Sequence, residues 1–65
     1  MDLAELKKRL ENEADKILGA RESAKLFSLY DSESMYDKIL FIYLYTILIR
    51  ALTEEEIRVI LCESR

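Results

Sequence analysis

Lys38-Ile39-Leu40-Phe41-Ile42-Tyr43-Leu44-Tyr45-Thr46-Ile47-Leu48-Ile49-Arg50 is the stretch on which the fold turns: the 11 residues between its basic ends carry no charge. Three structures could hold such a run. A membrane span needs about 20 apolar residues to cross about 30 Å of hydrocarbon, whereas these 11 residues at about 1.5 Å each reach only about half that distance. A strand is suggested by the Ile, Tyr and Phe content, but strands usually run about 5 or 6 residues. No Gly, Pro or Asn-Gly turn stands nearby to supply a partner strand. A helix accommodates the leucines and the capping patterns on either side. The reading is a helix over about 35–52, apolar nearly all round and therefore the central, most buried element.

Working outward, Asp31-Ser32-Glu33-Ser34 is a loop of small and acidic residues that compete with helix by bonding their own backbone. Ser34 followed by Asp37 is a weak capping pattern for the central helix. Beyond the run, Leu52-Thr53-Glu54-Glu55-Glu56-Ile57 is the strongest local signal in the chain. Thr53 and Glu56 form a capping box, Leu52 and Ile57 a hydrophobic staple, and three glutamates sit on the positive end of the helix dipole. This predicts a short C-terminal helix over about 54–63, with Ile57, Ile60 and Leu61 on its apolar face and Val59 and Cys62 widening it. Cys62 reads as a small buried hydrophobe.

Upstream, Asp2 and Glu5 have the form of a capping box, with Met1 and Leu6 placed as its staple. Apolar residues then recur at Leu3, Leu6, Leu10, Ala14 and Ile17, the three-and-four spacing of one buried stripe. Glu5 precedes Arg9 by four residues, a favourable helix-surface ion pair. Gly19 is the chain's single glycine. Glycine often ends helices, yet the stripe continues in phase through Ala20, Ala24 and Phe27. The phase favours one helix from about 2 to 30, weakened at Gly19; the alternative is two helices with a tight corner.

The fold class is therefore all-α, a small helical bundle forming a single domain over 1–65. A chain of this length buries only about 60% of its unfolded surface, and such cores usually need a disulfide, a metal or oligomerisation. One cysteine excludes an internal disulfide, and the absence of histidine leaves no ordinary zinc site. Hydrophobic residues make up 51% of the chain, more than the two outer helices can cover. The expectation is a bundle completed by an isologous dimer.

Function is constrained mostly by what is missing. No histidine is available for acid–base work, Cys62 has no evident activating base, and the chain is too small to wrap a pocket of about 300 to 1,000 Å³. The three consecutive glutamates do not face one another on a helix, so dipole compensation explains them better than a metal or a general base. No cofactor and no catalysis are expected. The net charge of −3 and pI near 4.9 give no basic face for phosphate. Lys7, Lys8 and Arg9 point in different directions among glutamates. The missing Gln, Trp and His and the abundant Glu, Lys and Ile look like a heat-adapted composition. With no apolar leader segment the protein is expected to be cytoplasmic.

What remains is binding. A line through Tyr36, Tyr43, Thr46 and Arg50 is the least apolar side of the central helix and faces water or a wet interface. Tyr and Arg are the residue types that dominate interface energetics. The candidate protein interface comprises Tyr36, Phe41, Tyr43, Tyr45, Ile49, Arg50, Leu52 and Val59. The expected activity is that of a protein–protein interaction module, a small adaptor, regulator or inhibitor that associates with itself and with another protein. The alternative is a nucleic-acid-binding regulator using its last two helices as a helix-turn-helix, with three glutamates where base and phosphate contacts belong.

Overall fold

The computed structural model describes residues 2–62. Four helices follow one another: α1 (Leu3–Leu18), α2 (Ala20–Tyr30), α3 (Met35–Leu48) and α4 (Glu54–Cys62), and no strand occurs among the described residues. Each helix packs on its successor, α1 on α2, α2 on α3 and α3 on α4. The solvent-accessible surface of 4396 Å² matches the roughly 4,300 Å² expected of a folded monomer of this mass.

Gly19 separates α1 from α2, so the single long N-terminal helix is not formed. Its φ of 86° and ψ of 159° lie in a region that only glycine occupies without strain. Its N–H still donates to the Asp15 carbonyl, closing α1, while its own carbonyl accepts from Ser23 N–H and opens α2. The corner also resets the buried phase. α1 buries Leu6, Leu10 and Ala14, leaving Leu3 and Ile17 exposed, whereas α2 buries Ser23, Leu26, Phe27 and Tyr30 in place of Ala20 and Ala24. An alanine at position 19 would meet no atom within 4 Å, so its effect is purely conformational. Gly19→Ala is expected to destabilise the protein by about 1–3 kcal/mol, measured by urea unfolding. A continuous helix would predict the opposite sign, a gain of about 1 kcal/mol.

The core is aromatic where α2 meets α3. Phe27, Tyr30, Phe41 and Tyr45 form a chain of rings with neighbouring centroids 5.1 to 5.5 Å apart, two of the contacts edge-on. Leu6, Leu10, Ala14, Leu26 and Ile60 close it from the other elements. Lys38 is buried beneath this cluster because its ammonium caps a helix end: Nζ donates to the Tyr30 carbonyl at the C-terminus of α2 and lies 5.3 Å from the Tyr30 ring centroid. A cation at that end satisfies both an orphan carbonyl and the dipole. Lys7 pairs with Asp31 just beyond, at 2.8 Å.

The caps predicted for α1 and α3 form in reduced versions. Asp2 accepts from Ala4 N–H at 3.0 Å, and Ser34 Oγ accepts from Asp37 N–H at 3.4 Å. Met1, assigned to the first staple, and Glu63, assigned to the last helix, lie outside the described residues. At α4 the full reciprocal box is present: Glu56 N–H donates to Thr53 Oγ1 at 3.0 Å and Thr53 N–H to Glu56 Oε1 at 2.8 Å. Two further expectations are corrected. Arg9 pairs with Glu56 at 3.2 Å, across helices, rather than with Glu5. Cys62 is exposed, because two residues beyond the fully buried Ile60 turn about 200° to the far side of the helix.

Candidate protein interface on α3

α3 carries apolar residues on both its faces, and the fold covers one of them. Phe41 and Tyr45, fully buried, and Lys38 point inward. The opposite side carries Tyr36 at 78% exposure, Ile39 at 53%, Tyr43 at 62% and Ile47 at 59%, with Leu40 more than a third exposed beside them; Met35 and Leu48, at the two ends of the helix, are exposed to a similar degree. The central helix is therefore not the most buried element. Its neighbours α2 and α4 cover its inner half, and no helix among the described residues lies over the outer half.

This outer face is contiguous. Tyr36, Leu40, Tyr43 and Ile47 are spaced four, three and four residues apart, which lines them up along one side of a helix, directly opposite Phe41 and Tyr45. Ile39 borders the line on one side, whereas Leu48 lies toward α2, lining a groove with Leu18, Leu26, Leu29 and Leu44. At roughly 200 Å² for a fully exposed large side chain, Tyr36, Ile39, Leu40, Tyr43 and Ile47 offer about 580 Å² of accessible surface, at the top of the roughly 300–600 Å² of the largest patch on a typical monomer. The face is also free of unmet polar demands. Thr46 turns its hydroxyl back to the Ile42 carbonyl at 2.8 Å, and no charged residue falls between Lys38 and Arg50.

A polar network fastens the C-terminal end of α3. Arg50 donates from Nε to Glu13 Oε1 at 3.0 Å and from Nη1 and Nη2 to the two Glu56 oxygens at 3.1 Å each. Glu56, 3% exposed, also receives Arg9 and the Thr53 N–H. The Tyr45 hydroxyl, 2.7 Å from Glu13 Oε1 and 3.0 Å from the Leu10 carbonyl, ties α3 to α1. Hydrogen bonds from Arg50 hold the Glu56 carboxyl down at about 2 against an ordinary 4.5, although burial opposes them. The same pairing, its hydrogen bonds to Glu56 foremost, raises Arg50 above its usual value. Burial first, and then Glu13, raises Tyr45 and keeps its phenol protonated. Among the described residues no buried side-chain polar atom lacks a partner, so this cluster is a fully satisfied brace.

The eight residues assigned to an interface from the sequence therefore divide. Tyr36 and Tyr43 stand on the outer face. Phe41 and Tyr45 are core and cannot touch another molecule while the fold is intact. Ile49, Leu52 and Val59 are half-buried against the core, and Arg50 belongs to the brace. Sequence reasoning missed Ile39, Leu40, Ile47, Leu48 and Met35. Their signal was the spacing that joins Leu40 and Ile47 to the two tyrosines, hidden because the inner face is equally apolar. On α4, Glu54 and Glu55 are exposed at the N-terminus and Arg58 pairs with Glu54 at 3.8 Å.

Among the described residues no group of three or more His, Cys, Asp or Glu could hold a metal ion, and no helix is long and apolar enough to cross a membrane. Compared with protein-family models, with curated proteins and with solved structures, the chain finds no match.

Proposed function

We propose that this protein is a non-enzymatic interaction module, a small adaptor or regulator in the cytoplasm, whose working surface is the outer face of α3. The observation that carries the reading is the uncharged apolar strip from Tyr36 to Ile47 on a bundle whose own core is already complete. Water-facing apolar area of this size costs solubility and is usually covered by another protein surface. The tyrosines near either end combine a large apolar ring with a hydroxyl suited to a wet rim. An apolar helix face without charges suits docking against a second helix.

Site-specific photocrosslinking tests this. A benzophenone amino acid placed at Tyr43 in the full chain, irradiated in native cell extract, is expected to give a discrete protein adduct, and the same group at Lys8, exposed on α1, none. Ile47→Asp, which sets a charge in the middle of the face without touching the core, should remove the Tyr43 adduct. Equal labelling from positions 43 and 8, or an adduct indifferent to Ile47→Asp, would refute the surface assignment.

A further inference from the structure

We infer that the occupant of the α3 face is the same face of a second copy, packed antiparallel about a two-fold axis between residues 41 and 42. This rests on the α3 outer face being an interaction surface, and it names the partner and the register. The spacing of the seam residues is four, three, four, which reads the same in both directions. Reversing one helix against the other therefore sets Tyr36 of one copy opposite Ile47 of the second and Leu40 opposite Tyr43, twice each. Every layer then pairs a large ring with a smaller aliphatic chain, the alternation that lets facing helices interdigitate. A parallel pairing would stack Tyr36 on Tyr36 and Tyr43 on Tyr43, with two hydroxyls forced into each of those two layers.

Area and charge agree with this occupant. The roughly 580 Å² that each copy offers makes about 1,200 Å² for the pair, the lower edge of the roughly 1,200–2,000 Å² of specific interfaces. No charge is desolvated, since residues 39–49 contain none. The antiparallel register also opposes the two α3 dipoles. An isologous contact of this kind closes on itself, so it yields a dimer and no fibre.

Disulfide trapping reads the register directly. In the full chain with Cys62→Ser, which removes the exposed native thiol, Tyr36→Cys and Ile47→Cys are prepared separately, then oxidised alone and mixed. The expected result is a covalent dimer only in the mixture, because like positions in the antiparallel pair lie about 16 Å apart along the axis. Sedimentation of the unmodified chain should give twice 7.7 kDa at micromolar concentration, and Ile47→Asp should weaken dimerisation about a hundredfold or more. A covalent dimer from Tyr36→Cys alone would overturn the antiparallel register. A monomer throughout the micromolar range, with no trapping, would overturn the second copy as occupant. In that event a Tyr43 photoadduct with a different protein would leave the interaction surface standing, and no adduct at all would remove both.

Discussion

Phe41→Ala is expected to leave much of the protein unfolded at 25 °C. Phe41 is fully buried and touches three other rings, those of Phe27, Tyr30 and Tyr45. Truncation removes its transfer free energy and opens a cavity between α2 and α3, costing about 3–5 kcal/mol. A domain of this size has only about 3–10 kcal/mol in total. The melting temperature should fall by about 20 °C, at about 4–8 °C per kcal/mol for small domains. Circular dichroism melts at two protein concentrations check this. The loss should appear at both, because Phe41 belongs to the core of each chain. Tyr43→Ala, on the outer face, is the control, and in dilute protein its melt should move by no more than a degree or two, about what a surface substitution causes. Equal losses from the two variants would contradict the division of α3 into a core side and an outer side.

Glu56→Ala should have the next largest effect, about 3 kcal/mol. It removes the carboxylate half of the α4 capping box, the acceptor of the Thr53 N–H, while the backbone N–H at 56 still donates to Thr53, and it strips Arg50 and Arg9 of a buried carboxylate partner. Breaking a buried pair costs about 3–5 kcal/mol, reduced here because Arg50 is half-exposed and keeps Glu13. Glu56→Gln keeps an acceptor for the Thr53 N–H but loses the charge, and should cost nearly as much, about 2–3 kcal/mol. Chemical denaturation at pH 7 measures both, and a Glu56→Gln variant as stable as the natural chain would contradict a charge-dependent brace.

The same residue sets the acid limit. The Glu56 carboxyl is held at about 2 in the folded chain, below its ordinary 4.5, by Arg50 first. A depressed carboxyl binds its proton more weakly in the folded than in the unfolded state, so its contribution is fully present above about pH 4.5 and is lost as pH falls toward 2. The contribution amounts to about 3 kcal/mol. Unfolding free energy should therefore decline across pH 4.5 to 2 in the natural chain, with a much shallower slope in Glu56→Gln. Parallel slopes in the two proteins would place the acid sensitivity elsewhere.

Much of the fold was legible because helix signals are local. The Thr53–Glu56 box, the small polar loop at 31–34 and the length of the uncharged run each report on a few neighbouring residues, and each has its counterpart in the structure. Gly19 was misread because an apolar stripe of alanines and a phenylalanine stays in phase by coincidence. A single positive φ breaks the helix, and of the continued stripe only Phe27 is buried, now beside Ser23, Leu26 and Tyr30 in a new phase. The interface was half legible. Tyr36 and Tyr43 stood out as polar handles on an apolar helix, whereas Phe41 and Tyr45 look the same in composition and lie on the opposite side.

By itself the sequence determined the helical class, the loop, the strongest cap and the surplus of apolar residues, because propensity, capping and periodicity depend on contacts within a few residues. Only the tertiary structure decided which side of α3 faces the core. Both its sides are apolar, so the helix has no preferred face of its own. The choice falls to long-range partners: the Phe27 and Tyr30 rings on α2, the Leu10 carbonyl and Glu13 that hold the Tyr45 hydroxyl, and the Tyr30 carbonyl that draws in Lys38. Once those contacts orient the helix, Tyr36, Leu40, Tyr43 and Ile47 are left facing outward.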